Sequence, residues 1–452
     1  MPAVSLFSNC GAGDYGYKSA GFNFVVLAEL VPKRLRVAEL NHPEATSVPG
    51  DLRKTWPEVV ERYWELNRKS EPWLLSACPP CQGMSSANCR RGKGEDAEAG
   101  GRDPRNLLVL PIIKVAERLD PRVIVVENVP AFLTRRVPHP VSAEGISAAS
   151  LLIELLGTRY VVFPFLSDLA DYGVPQRRRR AFLTLVRRDI AGLNALSSQR
   201  RAPYPRPTHD PAQGGQLPIT VGEFLKNLSL PPLDAKKIDT AKSEIPLHSV
   251  PVWNSRHHAM VNAIAPGSGA SAWENEACLS CGPVEVDISD AQCPLCNEAL
   301  PRPVVEEPNG GYRLVRGFRA SSYRRMHPNR PAPAVTTANG TIGSANTIHP
   351  WQNRVLSALE CCHLQTIPST FKWTSEHGRQ LELHVVRRMI GEAVPPKFTE
   401  LHGQVIRGIL ENKWSVAPIS IYDVRCGRAA EKLAGHGRDS STNLEEITNS
   451  EG

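Results

Sequence analysis

The chain has 452 residues, 41% of them apolar and 22% charged, with a formal net charge of +7. That length predicts two or three domains, each able to bury a core, in an ordinary globular protein. No run of about 18 apolar residues occurs, so no membrane partner is expected; the opening MPAVSLFSNCG lacks a basic segment followed by an apolar one, which predicts a cytoplasmic protein with reduced thiols.

Residues 3–7 are a short apolar run, followed by the glycine-rich NCGAGDYG and a predicted helix to Ala20. A second strand is expected over 24–30, ending near Glu29, then a helix over 57–67 and a strand over 73–77. Residues 107–119 read as a helix despite Pro111, and VIVV at 123–126 as a strand buried on both faces. A helix over 151–156 and strands over 160–165 and 181–186 complete the alternation. Strands alternating with helices predict an α/β, Rossmann-like doubly wound parallel sheet.

The pattern then changes. APYPRPTHDPAQGG at 202–215 reads as a linker or surface loop. Periodicity stays poor to about Thr347, then returns as helices over 355–363 and 384–410. The expected domains are 1–190, 191–345 and a returning segment 346–412, with a partly disordered tail 413–452. Basic clusters occur at QRRRR (176–180), CRRGK (89–93) and SYRR (322–325), and any one alone reads as a solvated face.

Gly11, Gly13 and Gly16 spell GxGxxG between a strand and a helix, and Glu29 ends the next strand. Glycines let a backbone approach a ligand and a strand-end carboxylate accepts from ribose hydroxyls. This fits a dinucleotide oxidoreductase as well as any enzyme of an adenosine cofactor. Asp51, where a third strand would end, could accept from an adenine amino group, although a lone Asp in a turn is commonly a turn residue.

In SACPPCQGMS at 76–85, Cys81 follows two prolines on stiff, extended backbone, with a glycine and small residues beyond. A thiol held that way suits a nucleophile covered after substrate binds; Cys78 and Cys81 could also be buried small hydrophobes or a redox pair. Glu127 in VVENVP, and Arg178 and Arg180 in VPQRRRRAF, come at neighbouring strand ends. Thiol, carboxyl and guanidinium together form a nucleophile, an acid and a polar anchor.

These motifs, in this order, resemble the bacterial DNA (cytosine-5) methyltransferases. LFSNCGAGDYGYKSAGF resembles the S-adenosylmethionine loop, PPCQGMS the nucleophile motif, DPRNLL at Asp103 a short motif beyond it, ENVP the catalytic glutamate motif and VPQRRRRAF the motif of the pocket arginines. RPAPAVTT at 330–337, LECCHLQTIPSTF at 359–371 and IGEAVPP at 390–396 resemble the later motifs. The resemblance implies Cys81, Glu127, Arg178 and Arg180 as catalytic residues. It implies S-adenosylmethionine bound by Phe7, Asn9, Gly11, Gly13, Glu29, Asp51, Leu52, Pro80, Glu392 and Val394. Asn9 stands where that family usually has glycine, Ala12 where it has a second glycine, and Glu392 where it has asparagine.

The implied reaction makes chemical sense. The Cys81 thiolate adds to carbon 6 of cytosine, Glu127 serves the ring nitrogen and exocyclic amine, carbon 5 takes the methyl group, a base removes its proton, and the thiolate leaves. A stacked base is out of reach, so the cytosine must flip out. The loop 82–102, with Arg90, Arg91 and Lys93, is expected to close over it and touch phosphates. The implied setting is a bacterial, nucleoid-associated monomer acting on double-stranded DNA in restriction–modification or phage defence, with a cognate nuclease as a further partner.

Cys278 and Cys281, eleven residues, then Cys293 and Cys296 give paired CxxC knuckles. Four thiolates at this spacing predict a closed, structural zinc ribbon in 191–345; an iron–sulfur cluster or four unconnected thiols are the alternatives. An NAD-dependent oxidoreductase would leave Cys81, Glu127 and the arginines unexplained. An RNA cytosine methyltransferase on the same fold, and a silent DNA-binding regulator, remain the other readings.

Overall fold

The computed structural model describes residues 1–68, 70–80, 103–137, 145–318, 320–345, 347–375 and 377–424. Its centre is a seven-stranded sheet of β1 (Pro2–Leu6), β2 (Asn23–Glu29), β3 (Thr46–Pro49), β4 (Leu74–Ala77), β5 (Val123–Asn128), β6 (Tyr160–Asp168) and β7 (Arg179–Arg187). The order across the sheet is β3-β2-β1-β4-β5-β7-β6. β3, β2, β1, β4 and β5 are parallel to one another. β7 is antiparallel to both β5 and β6, so the expected all-parallel sheet is in fact mixed. The reason is connection length: only residues 169–178, a short 3-10 turn and a few extended residues, separate β6 from β7, too little for a parallel crossover.

The strands alternate between two apolar layers. Val4, Leu6, Val26, Ala28, Ile124 and Val126 face one, with residues of α3 (Leu52–Leu66), α4 (Val109–Leu119) and α5 (Ala148–Leu156). Ala3, Phe24, Leu27, Val123 and Val125 face the other. There they meet residues of α1 (Ala12–Ser19), α2 (Pro32–Asn41), α6 (Ala191–Ser198) and α11 (Pro396–Glu411). Apolar side chains on both faces are what a central, helix-covered sheet requires.

Two expectations need correction. Asp51 caps α3 by accepting from the Arg53 N–H, so the helix starts five residues ahead of Pro57 and carries that proline inside it. The expected linker is partly a strand: Arg201–Pro205 pairs with Pro418–Ser420, and Tyr204 is fully buried. Tyr204 donates its hydroxyl hydrogen to the Phe163 carbonyl and accepts from the Thr184 N–H. Together with α6 this carries the second core on to residue 205.

Between 206 and 357 regular elements are few: α7 (Val221–Leu228), α8 (Ser255–Asn262) and small ribbons. Buried arginines satisfy the irregular backbone. Arg325, expected on a solvated face, is buried and donates to the carbonyls of Val261, Ile264, His349 and Gln352. Arg354 in the same region pairs at 2.6 Å with Glu360, just beyond it. The chain then returns through α9 (Ala358–Leu364) and α10 (Leu383–Glu392) into α11. Here Gly16 is indispensable: a Cβ there would lie 2.1 Å from Thr399 Oγ1 and 2.2 Å from the Pro396 carbonyl of α11.

Candidate active site

A cleft opens at the carboxyl ends of β1, β4 and β5, closed on one side by the α10–α11 turn. Of the expected site residues, Phe7, Asn9, Gly13, Glu127, Glu392 and Val394 line it. Gly11, Glu29, Asp51, Leu52 and Pro80 do not, and Leu52 is buried in the core instead. Cys81 and the loop 82–102 lie outside the described residues. Ser5, Asp14, Tyr17, Ser76, Cys78 and Thr399 also line the cleft, and no sequence motif had singled them out as ligand-facing.

The loop after β1 is built on left-handed residues: Phe7 has φ 57°, Asn9 φ 50° and Gly11 φ 76°. Asparagine tolerates that region better than most side chains, which explains how Asn9 replaces a glycine. Gly11 has no such freedom, because a Cβ would fall 2.8 Å from the His42 ring. His42 Nε2 in turn lies 2.9 Å from the Gly11 carbonyl. The loop amides converge on Glu29: its carboxylate accepts from the Asn9 N–H at 2.9 Å and the Val31 N–H at 3.0 Å. Burial pushes the Glu29 carboxyl above its ordinary range, while those amides and Arg34 oppose the shift. Asp51 is engaged differently. Arg53 grips both its oxygens, 2.5 Å at the closest, and holds it below the usual carboxylate range.

Asp14, on the first turn of α1, is buried on the cleft wall and accepts from the Ser5 hydroxyl at 2.7 Å. Burial pushes its carboxyl up to about 7, against the hydrogen bonds of Ser5 and Ser76.

At the β5 end, Glu127 is buried with its carboxylate between two partners. The Cys78 thiol donates to Oε2 at 2.8 Å, and Arg180 Nε lies 2.8 Å from Oε1. The neighbouring Asn128 donates from Nδ2 to the Pro79 carbonyl at 3.0 Å. β5 thus fixes both the acid and the peptide two residues ahead of Cys81.

Arg178 requires a correction. It was expected beside Arg180 on the pocket wall, but it is buried and donates to the carbonyls of Val335 (2.9 Å), Gly391 (3.1 Å) and Ala393 (2.8 Å). It braces the end of α10 from behind the cleft.

Away from the cleft, the Sγ atoms of Cys278, Cys281, Cys293 and Cys296 all lie within 4.8 Å of one another. Cys278 and Cys296 are 3.6 Å apart and Cys293 and Cys281 4.0 Å apart. A tetrahedral zinc with Zn–S bonds of about 2.3 Å requires sulfur pairs about 3.8 Å apart. Among the described residues, the surrounding core holds Cys278, Cys293 and Leu300, flanked by Val284 and Val286.

The family model for C-5 cytosine-specific DNA methylases matches residues 1–407. The Type II methyltransferase M1.HgaI of Avibacterium volantium is 27% identical over 410 residues, 88% of this chain and 95% of that protein. The Type II methyltransferase M.AquIA of a Picosynechococcus strain is 31% identical over 225 residues, 49% of this chain and 83% of that protein. Among solved structures, a DNA modification methyltransferase encoded within an E. coli prophage gives a TM-score of 0.53 at 19% identity, over 91% of this chain and 99% of that one, a likeness of fold.

Proposed function

The chain belongs to the C-5 cytosine-specific DNA methylases, and from that membership we propose that it methylates carbon 5 of a flipped-out cytosine within a specific duplex DNA sequence, with Cys81 as nucleophile. The observation that carries the assignment of roles is the pairing of Arg180 with the cleft residue Glu127, next to Asn128, which holds the Pro79 carbonyl. Glu127 serves the cytosine ring nitrogen and exocyclic amine, exchanging one of its present partners for the base. Arg180 keeps that carboxylate aimed at the base. The Asn128 bond fixes the approach of the peptide leading to Cys81, and Arg178 acts by positioning the cleft wall.

The residues present fit S-adenosylmethionine. Glu29 is presented by backbone amides as a ribose acceptor, Phe7, Asn9, Gly13 and Val394 shape the cleft, and Asn9 Oδ1 is buried without a hydrogen-bond partner among the described residues. S-adenosylmethionine supplies an electrophilic methyl group on a positive sulfonium. The carboxyl groups of Asp14, Glu127 and the half-buried Glu392 line the cleft and offer oxygen acceptors that can face such a cation. Asp51 becomes an adenine acceptor only by sharing its oxygens with Arg53.

The reading extends to the rest of the chain. Residues 191–345 serve as the target-recognition region, and 346–412 return to the catalytic domain. The four cysteines hold a structural zinc ion; their sulfur spacing fits it, and the apolar core around them is too small to fold the ribbon unaided. The Type II names of the relatives support a restriction–modification setting, in which we propose a monomer acting beside a cognate nuclease. Transfer of labelled methyl from S-adenosylmethionine to plasmid DNA, with bulk RNA in parallel, tests the substrate. Label in DNA supports the assignment; label confined to RNA overturns it.

A further inference from the structure

The C-terminal end of α10 forms part of the cleft wall, and it is tied down from two sides. From behind, Arg178 donates to the carbonyls of Gly391 and Ala393, and Gln365 to that of Ile390 at 2.6 Å. From the cofactor-loop side, Asn9 Nδ2 donates to the Met389 carbonyl at 3.0 Å. Beside it, Arg34 Nη1 on the first turn of α2 lies 2.7 Å from Glu392 Oε2 and 4.0 Å from Glu29 Oε1. All three charged side chains are mostly shielded, with 17%, 24% and 7% exposure for Arg34, Glu392 and Glu29.

The arrangement is electrostatically specific. Glu392 is the last residue of α10, where the helix dipole disfavours a carboxylate, and it faces a second carboxylate on Glu29. Arg34 is the cation placed between them. Without it, two acids and the negative helix end would repel one another across the cleft mouth. With it, β2, α2 and α10 are joined next to Ala393 and Val394, which line the cleft. Asn9 and Glu392, two of the three departures noted in the sequence, therefore act at one junction.

We propose that Arg34 is a positioning residue for the methyl donor: with Glu392, and Asn9 as a second tie, it latches the end of α10 against the cofactor loop and sets donor affinity. The latch contacts no reacting atom. It holds Val394 at the cleft and Glu29 in place for the donor ribose. The proposal rests on the methyltransferase reading for its ligand but not for its geometry.

The test is a double-mutant cycle in the full chain with Arg34→Ala, Glu392→Ala and the double variant, titrated calorimetrically with S-adenosylhomocysteine. Amide exchange of residues 389–394 is followed in the ligand-free proteins. Each single variant is expected to weaken binding about tenfold and to speed exchange, and the double to be no weaker than the worse single, because both changes break one interaction. Arg34→Lys, which keeps the charge, recovers part of the loss. Single variants within about twofold of wild type, or strictly additive losses, would overturn the latch. If wild type itself bound no S-adenosylhomocysteine, the methyltransferase reading would fail, and unchanged amide exchange in the variants would separately dismiss the latch.

Discussion

Arg180 Nε sits 2.8 Å from Glu127 Oε1, whereas Arg178, two residues earlier, turns away and binds three main-chain carbonyls. The two arginines therefore fail differently. Arg180→Ala leaves the fold standing and lowers the methylation rate by about 10²-fold or more, the usual scale for losing a charged group aimed at the reacting centre. Arg178→Ala strips partners from buried carbonyls and costs about 3 kcal/mol of stability or more. Urea unfolding and single-turnover methylation on both variants separate the two outcomes.

Asn128 holds the Pro79 carbonyl at 3.0 Å, just ahead of Cys81. Asn128→Ala is expected to slow the chemical step by about 10–100-fold, since a small misplacement of a nucleophile is expensive. Methyl-donor binding, measured by calorimetry, is expected to stay close to wild type.

Asp14 predicts a pH dependence of stability. Its carboxyl is pushed up to about 7 from 3.8, so between those values the folded state holds a proton that the unfolded state has released. Stability contributed by that group is present below pH 3.8 and falls as pH rises towards 7. The ionised carboxyl costs the fold up to about 4 kcal/mol at pH 8. Asp14→Asn keeps an acceptor for Ser5 and removes the titration, so denaturant midpoints between pH 4 and 8 should be flatter and higher at the alkaline end.

The four-cysteine ribbon predicts one zinc per chain by metal analysis. Cys278→Ser should lose it and open residues 276–300 to proteolysis, while the sheet unfolds at its usual denaturant midpoint. The separation follows from the ribbon's own small core and its anchoring through Arg302, which donates to the Asn275 and Asp290 carbonyls.

Much of this was legible in the residues. VIVV followed by ENVP places Glu127 at the end of a strand buried on both faces, and the register of β5 and β7 sets Phe182 opposite it. The resemblance also placed Arg178 and Arg180 together at the pocket, as alternate residues on one strand face would be. That rule holds only within a strand, and Arg178 lies in the break between Gln176–Arg177 and Arg179–Arg187, where the backbone re-aims it. The strand at Arg201–Pro205 was hidden by its prolines, which an edge pairing tolerates, and by a partner more than 200 residues away. Asp14 carried no local sign of burial, because what buries it comes from β1, β4 and α11. The Arg34–Glu392 bridge joins residues 358 positions apart and follows only from the fold.

The central claim is that this chain methylates cytosine at carbon 5 in DNA, with Cys81 as the nucleophile and the Glu127–Arg180 pair serving the base. The most direct measurement is bisulfite sequencing of a plasmid carried in cells that express this chain, beside cells that express Cys81→Ala. The account predicts protected cytosines at one short recurring sequence with the wild-type chain and none with the variant. Protected cytosines that persist with Cys81→Ala, or a plasmid left unmodified by a soluble, donor-binding wild-type protein, would contradict it.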